Sequence, residues 1–250
     1  MTHFPPPPRP GPETLPPAER SALLLDLDGT LLDIAPTPDE VVVPDDLPGT
    51  LLALRRALGD ALAVVTGRTL GQVDALLPGV PYAVAGEHGA TVRAAPAAPV
   101  QRPPLPSLPE GWADAAEDFS RAHPGVIVEQ KERGFAVHYR AVPQLGAALH
   151  AALAALVATD VVRFVLLEAK MAWEVRPRGA DKGTAVTALM QLSPFAGRLP
   201  LFIGDDVTDE DGIRAARAAG GVGLRVPERF GDAAGVRAWL AAAVRAGAAP

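Results

Sequence analysis

The hydrophobic positions of the chain fall into short apolar runs separated by stretches with helical spacing. Ala22 to Leu25 is apolar throughout, which is typical of a strand buried on both faces of a parallel sheet. Apolar runs at Ala61 to Val65 and Tyr82 to Ala85 predict two further strands, and the spacing of Leu47 to Leu58 and Leu70 to Leu77 predicts a helix before each. This alternation predicts a doubly wound α/β fold with a parallel sheet.

The same alternation returns near the C-terminus, after a different pattern in the middle of the chain. Residues 184–192 and the segment after Trp239 have the composition and spacing of helices, and residues 199–203 and 222–226 predict strands. Between the two α/β parts, each predicted helix is followed by a pair of strands. The first helix, at 112–122, precedes strands at 126–131 and 136–140, and the second, at 145–157, precedes strands at 163–168 and 172–176. This order predicts an α+β layer with an antiparallel sheet.

We therefore divide the chain into three parts. Residues 1–20 are rich in proline and predict an extended, flexible tail. Residues 21–103 and 179–250 form the predicted α/β core. The α+β segment at 104–178 is inserted into this core as a cap, and the Ala/Pro-rich residues 94–109 lead into it as a linker.

The composition narrows the classes of function. The formal net charge of the 250 residues is −6, which argues against non-specific binding to nucleic acid or to an acidic membrane. No apolar run is long enough to span a membrane, and no basic start followed by an apolar run marks a secretory signal. The absence of cysteine excludes disulfides, thiolate metal sites and cysteine nucleophiles. We expect a cytoplasmic monomer without nucleic-acid or membrane partners.

Two carboxylates follow the first predicted strand. Asp26 and Asp28 stand one residue apart and are followed by Gly29 and Thr30. In open α/β sheets, ligands bind just beyond the carboxyl ends of the strands, so this position is one where chemistry is expected. The alternative is a solvated acidic loop without a function.

Three more polar clusters stand at the end of a predicted core strand or the start of a helix. Thr66 follows the second strand, Lys182 opens the helix at 184–192, and Asp205, Asp206 and Asp209 follow the strand at 199–203. Taken singly, each cluster has a plain structural alternative: a turn residue, a surface cation, and an acidic turn at a helix N-terminus. All of them in matching places indicate a site.

The chemistry of these groups points to phosphoryl transfer. Asp26 and Asp205, with several waters, supply the oxygen ligands that Mg²⁺ prefers. A metal and the Lys182 ammonium would neutralise phosphoryl oxygens, and Thr66 would donate a hydrogen bond to another. A carboxylate nucleophile completes a set of groups that fits transfer through an aspartyl-phosphate.

The four clusters resemble the motifs of the haloacid-dehalogenase-like (HAD) phosphatases. The matching segments are Asp26 to Thr30, Val65 to Arg68, Asp181 to Gly183, and Gly204 to Asp206 with Asp209. The resemblance covers the chain from about Ser21 onward. It implies a Rossmann-like core, and the insert between the second and third motifs implies the α+β cap of the C2B type.

More narrowly, the chain resembles trehalose-6-phosphate phosphatases in stretches that the wider superfamily does not share. These are Pro38 to Pro44, Gly86 to Ala90, Val128 to Lys131, His138 to Arg140, Glu174 to Pro177 and Gly204 to Asp211. The Pro-rich tail lies outside the match. The resemblance implies a Mg²⁺-dependent hydrolysis of trehalose 6-phosphate.

The resemblance also implies roles for the core residues. Asp26 would attack phosphorus, and Asp28 would protonate the leaving sugar oxygen and then deprotonate the attacking water. Mg²⁺ would be held by Asp26, the backbone carbonyl of Asp28, and Asp205. Thr66 and Lys182 would hold phosphoryl oxygens, and Asp206 and Asp209 would support the site from behind the metal ligands.

In the cap, the resemblance makes polar residues of the short strands candidates for binding sugar hydroxyls. Carboxylates and cations satisfy hydroxyl groups well. The candidates are Glu129, Lys131, Arg140 and Glu174, with Arg68 of the core as a further substrate-binding residue. Without the resemblance, alternating polar residues of this kind indicate only the wet face of a half-covered sheet. His88 is a candidate for fixing the hinge between cap and core.

Two other functions stay open at this point. Another HAD sugar phosphatase or a sugar phosphomutase would carry the same core motifs, because these motifs do not select the leaving group. A non-catalytic sugar-phosphate-binding regulator would require the loss of the nucleophile or of a metal carboxylate, and neither is missing from this sequence.

Overall fold

The computed structural model describes residues 17–37, 40–169 and 171–247. Among these residues, a six-stranded sheet has the order β10-β9-β1-β2-β3-β4. Its strands are β1 (Ser21–Leu25), β2 (Leu62–Val65), β3 (Ala83–Gly86), β4 (Thr91–Arg93), β9 (Leu199–Gly204) and β10 (Val222–Arg225). Most of the predicted proline-rich tail, residues 1–16, lies outside the described residues. So do Pro38 and Asp39, the first two residues of the family-like stretch Pro38 to Pro44.

The core sheet is parallel except at one edge. β1 pairs with β9 on one side and with β2 on the other, both in parallel, and only β4 is antiparallel to its neighbour β3. All residues of β1, β2 and β3 are buried, because helices cover both faces of the sheet. The predicted parallel α/β core is confirmed, and the antiparallel β4 is an addition that the sequence pattern did not predict.

In the part of the chain that the structure describes, six α-helices accompany the core strands or follow them. They are α1 (Leu47–Ala57), α2 (Leu70–Leu76), α5 (Lys182–Leu189), α6 (Glu210–Ala218), α7 (Val226–Arg229) and α8 (Ala233–Arg245). Thr69 and Asp181 are the N-caps of α2 and α5, and each accepts a hydrogen bond from the backbone N–H three residues later. The cap at Asp181 fixes where α5 starts, and so places Lys182 in its first turn.

The segment between β4 and α5 forms a second, antiparallel sheet of order β5-β6-β8-β7 with two helices. Its elements are α3 (Trp112–Ala122), β5 (Ile127–Gln130), β6 (Phe135–His138), α4 (Gly146–Ala158), β7 (Phe164–Ala169) and β8 (Ala172–Pro177). The predicted α+β layer is confirmed in element order. We refer to this layer as the cap.

Core and cap have separate hydrophobic clusters. The core cluster is built from the buried strands and the helix residues that cover them, among them Leu51, Phe202 and Leu240. The cap cluster includes Phe135 and Phe164, which lie between the antiparallel sheet and its helices. No helix within the described ranges combines the length and apolar character needed to cross a membrane.

Candidate active site

The site lies where three neighbouring core strands end. Asp26 follows β1, Thr66 follows β2 and Asp205 follows β9, and these strands are adjacent in the sheet. Parallel strands bring their carboxyl ends to one edge, so three separate sequence motifs meet there. The cap covers this edge, and a cleft that is partly open to solvent lies between the two.

All ten residues predicted for the site line this one cleft. They are Asp26, Asp28, Thr66, Arg68, Glu129, Lys131, Arg140, Glu174, Lys182 and Asp205. The first four and the last two come from the core, and the rest come from the cap. The structure brings these side chains together, and their individual roles stay predictions.

Lys182 joins the first and last clusters of the core. Its Nζ lies 2.7 Å from Oδ1 of Asp26 and 2.6 Å from Oδ1 of Asp209, and all three side chains are buried. Burial lowers the pKa of Lys182, but the carboxylates of Asp209 and Asp26 outweigh this effect and raise it. Lys182 is therefore a fixed cation at the bottom of the cleft.

Asp209 also shapes the turn that carries Asp205. Its Oδ2 accepts hydrogen bonds from the backbone N–H groups of Asp205, at 3.1 Å, and Asp206, at 2.9 Å. A Cβ atom added to Gly204 would lie 2.2 Å from Cγ of Asp209, so only glycine leaves room for this carboxylate. Asp209 thus ties the ammonium of Lys182 to the backbone of the acidic turn.

The carboxylates at the strand ends form a set that could hold a metal ion. Asp26, Asp205 and Asp209 each offer an oxygen atom, and these atoms lie within 4.8 Å of one another. Burial raises the pKa of Asp26 well above its usual value, and the neighbouring carboxylates of Asp209 and Asp205 add to the effect, against Lys182. A divalent cation would favour the ionised form of Asp26, and oxygen-only donors suit Mg²⁺. The residues fit the predicted metal.

Asp28 is held by Arg68. The guanidinium donates from Nε and Nη2 to the two carboxylate oxygens of Asp28, both at 2.7 Å. This two-point contact fixes the plane of the carboxylate. The hydroxyl of Thr66 accepts a hydrogen bond from the backbone N–H of Arg68 at 3.2 Å, which leaves the hydroxyl hydrogen available to a ligand. The pairing of Arg68 with Asp28 was not predicted from the sequence.

In the cap, Glu129 and Glu174 project from one face of the sheet. Both pair with Ala136 across adjacent strands, so a small residue separates the two carboxylates. The Nζ of Lys131 lies 2.7 Å from Oε1 of Glu174. Burial raises the pKa of Glu174, but the contact with His88 and the positive charges of Lys131 and Arg176 outweigh it and hold this pKa well below the usual range. The cap thus presents buried, ionised carboxylates to the cleft.

Glu129 has partners from both layers. Its Oε1 accepts from Nε2 of Gln72, on helix α2 of the core, at 3.2 Å, and its Oε2 lies 3.0 Å from Nε2 of His138. Burial raises the pKa of Glu129, but the hydrogen bond from His138 and the charge of Lys131 outweigh it and lower the pKa to about 2. Glu129 is therefore an anion over a wide pH range.

Arg140 makes a contact that its predicted role did not include. Its guanidinium donates to the backbone carbonyls of Ala35 and Pro36, in the loop that follows the first motif. Ile34, Ala35 and Thr37 of this loop line the same cleft. Arg140 thus connects the cap with the loop beside the catalytic edge, in addition to lining the cleft.

Sequence reasoning assigned no role to Gln72 or His138. A signal for His138 was present, because the alternation of β6 puts His138 on the same face as Ala136, opposite the buried Phe135 and Val137. Gln72 satisfies the capping box of α2, and nothing in the sequence indicates that its amide also reaches Glu129. Such a contact depends on how the cap sits on the core.

The family model described as trehalose-phosphatase matches residues 24–231. The chain is 38% identical over 212 residues to the trehalose-6-phosphate phosphatase of Escherichia coli, covering 82% of this chain and 77% of that one. It is 39% identical over 215 residues to a probable trehalose-phosphate phosphatase of Sinorhizobium fredii, with the same coverage of both chains.

Solved structures with lower identity share the fold. The C-terminal domain of the C. albicans trehalose-6-phosphate phosphatase has a TM-score of 0.76 at 20% identity and covers 91% of this chain and 93% of that one. A haloacid dehalogenase-like hydrolase from Bacteroides thetaiotaomicron has a TM-score of 0.58 at 13% identity and covers 90% and 98%. The fold is HAD-like, and the family match over most of the chain means that this protein belongs to the trehalose-phosphatase family.

Proposed function

We propose that this protein is a Mg²⁺-dependent phosphatase that hydrolyses trehalose 6-phosphate to trehalose and phosphate. The observation that carries the proposal is the pairing of two kinds of site in one cleft. The core offers a buried carboxylate beside a fixed ammonium, at Asp26 and Lys182, and the cap offers ionised carboxylates at Glu129 and Glu174. The names of the relatives, trehalose-6-phosphate phosphatase and probable trehalose-phosphate phosphatase, favour trehalose 6-phosphate over other sugar phosphates as the substrate proposed here.

The metal site would be formed by Asp26, the backbone carbonyl of Asp28, and Asp205. Bound Mg²⁺ would supply positive charge that neutralises the phosphoryl oxygens in the transition state. Asp209 orients the turn that carries Asp205 and fixes Lys182, so it supports two groups at once.

In the first step, a carboxylate oxygen of Asp26 attacks phosphorus and the bond between phosphorus and the sugar oxygen breaks. Asp28, which must carry a proton in the substrate complex, gives it to that departing oxygen. The free sugar then leaves, and an aspartyl-phosphate remains on Asp26. Arg68 contacts both oxygens of Asp28, so one of these contacts would open in the substrate complex to leave an oxygen for the proton, while the other would hold the carboxyl group toward the leaving oxygen.

In the second step, water replaces the enzyme carboxylate. Asp28, now ionised, takes a proton from the water as the water oxygen attacks phosphorus. The bond between phosphorus and Asp26 breaks, which releases phosphate and restores the carboxylate. Lys182 and the hydroxyl of Thr66 hold phosphoryl oxygens through both steps, so the charge that develops there meets donors already in place.

The cap would bind the sugar. Glu129, Lys131, Arg140 and Glu174 surround the upper part of the cleft with acceptors and donors for hydroxyl groups. Trehalose 6-phosphate has many hydroxyls and no charge apart from its phosphate, so charged hydrogen-bonding groups suit the recognition of its sugar part. A monomer that acts in the cytoplasm stays a prediction.

The test is a phosphate-release screen over sugar phosphates, with Mg²⁺ and with EDTA. We expect trehalose 6-phosphate to be hydrolysed faster than other hexose and disaccharide phosphates, and EDTA to abolish the release. Faster hydrolysis of another sugar phosphate would make the protein a different sugar phosphatase. No release from any substrate, with binding retained, would make it a regulator.

A further inference from the structure

The loop after β3 holds two residues in a backbone conformation that residues other than glycine rarely adopt. Glu87 has a φ of 49° and His88 a φ of 56°, both in the left-handed region. Such residues persist only where their surroundings hold them, and they concentrate at functional sites. Neither residue belongs to the four motifs that carry the phosphoryl chemistry.

The ring of His88 lies against the second motif. A Cβ atom added to Gly67 would lie 2.6 Å from Nε2 of His88, so a glycine at position 67 makes room for the imidazole. The backbone N–H of His88 donates to the carbonyl of Thr66 at 2.8 Å. The loop is therefore fixed to the segment whose hydroxyl would bind the phosphoryl group.

On its other side, His88 reaches across to the cap. Its Nε2 lies 2.9 Å from Oε2 of Glu174, and the side chains are 6% and 4% exposed. The other oxygen of Glu174 is bound by Lys131. Glu174 therefore has one partner from the cap, Lys131, and one from the core, His88. Only the contact with His88 depends on how the cap is placed on the core.

The charge state of His88 agrees with this contact. Burial lowers its pKa to about 4, against the attraction of Glu174, so the ring is neutral near pH 7. A neutral imidazole carries one N–H, and an ionised Glu174 can only accept, so Nε2 bears that hydrogen. Within the described part of the chain, Nδ1 of His88 has no hydrogen-bond partner.

We propose that His88 is a positioning residue that orients Glu174 for the sugar and links cap closure to the phosphoryl-binding loop. This inference rests on the proposed function, in which Glu174 binds a sugar hydroxyl. A cap that moves away from the core would lose the His88 contact, so Glu174 would be aligned for the sugar only in the closed arrangement.

The test replaces His88 with asparagine and with glutamine. Asparagine tolerates the left-handed conformation but is too short to reach Glu174, whereas the amide of glutamine ends close to where Nε2 of histidine lies. For H88N, we expect kcat/KM for trehalose 6-phosphate to fall about ten-fold or more. Hydrolysis of a small aryl phosphate, which does not reach the cap, should stay within about two-fold. H88Q should recover most of the loss.

The matched control is H150N, which changes an exposed cap histidine that does not line the cleft. This variant should leave kcat/KM unchanged for both trehalose 6-phosphate and the aryl phosphate. In the double variant H88N/E174A, the loss should not exceed that of E174A by more than about two-fold, because the two residues act as one unit. Independent, multiplying losses would contradict the proposal.

The other outcomes are also decisive. An equal loss on both substrates in H88N, no loss on either, or failure of H88N to fold would overturn the positioning role. If the wild type hydrolyses the aryl phosphate but not trehalose 6-phosphate, the proposed function itself is wrong and the inference falls with it. The wild-type control therefore separates the two failures.

Discussion

Glu174 illustrates how a single residue depends on both layers of the molecule. It is buried, its two oxygens are bound by Lys131 and His88, and it lies in the same cleft as the Asp26 carboxylate. Its remaining acceptor capacity faces a ligand that would enter between cap and core. If the core performs the chemistry and the cap binds the sugar, replacing this residue should weaken sugar binding and leave the phosphoryl chemistry intact.

Replacing Glu174 with alanine should therefore affect one substrate class only. The lost hydrogen bonds to a charged group are worth about 1.5–3 kcal/mol, or about ten- to a hundred-fold in kcat/KM for the sugar phosphate. Hydrolysis of a small aryl phosphate should barely change. Steady-state kinetics on both substrates measure this difference.

Lys131→Ala should follow the same pattern, whereas Lys182→Ala serves as the contrasting variant and should impair both substrates. Equal slowing of both substrates by Glu174→Ala would place Glu174 in the catalytic centre. Unchanged kinetics on both substrates would mean that Glu174 has no role in substrate binding and is only a polar residue on one face of the cap sheet.

At the scale of elements, the end of β9 is the most constrained point of the core. Gly204 is its last residue, and an added Cβ would fall on three atoms of Asp209 at 2.2 to 2.5 Å. Asp209 holds both Lys182 and the turn of Asp205, so a displacement at this strand end would spread to the ammonium and to the metal site. A single methyl group thus tests the packing of the strand end.

Gly204→Ala should lower the free energy of unfolding by roughly 1–3 kcal/mol through overpacking and should reduce hydrolysis of every substrate. The matched control is Gly49→Ala on helix α1, where an added Cβ meets no atom within 4 Å. Alanine there should stabilise the helix by up to about 1 kcal/mol and leave activity intact. Thermal unfolding and one kinetic assay suffice, and similar behaviour of the two variants would refute the packing argument.

The sequence was informative for elements whose signals are local. The all-apolar run of β1 predicted a buried strand, and the structure confirms it. The N-caps at Thr69 and Asp181 are residue types that favour this position. Strand β4 and helix α7 were not predicted. β4 has three residues and depends on pairing with β3, and α7 has four residues, so neither carries a periodicity that the sequence alone can reveal.

For the whole molecule, the contact between cap and core has a pH dependence with a definite sign. Buried His88 has a pKa of about 4 in the folded protein, below its ordinary value of 6.5. Its neutral form contributes stability that is fully present above pH 6.5 and is lost as the pH falls toward 4. The charged groups around it are Glu174, Lys131 and Arg176.

Lowering the pH from 7 to 4.5 should therefore destabilise the wild type more than H88Q, because glutamine does not titrate. The difference in melting temperature between the two proteins, measured across this range, isolates the histidine from other titrating groups. A constant difference would mean that burial of the neutral imidazole does not contribute to stability in this window.

The arrangement of the two layers is also what the sequence could not predict. The motifs indicated that Asp26, Thr66, Lys182 and Asp205 would meet, because parallel strands end at one edge. The pairs Arg68–Asp28, Gln72–Glu129 and His88–Glu174 join segments 40, 57 and 86 residues apart and depend on the final approach of side chains. No periodicity carries that information.

The most direct test of the account is the replacement of Asp26 with asparagine, with phosphate release from trehalose 6-phosphate measured in saturating Mg²⁺. Asparagine keeps the shape of the side chain and can still accept from Lys182, but it removes the nucleophile. We expect turnover to fall by about 10³-fold or more while circular dichroism shows a folded protein. Activity within a few-fold of the wild type would contradict covalent catalysis by Asp26.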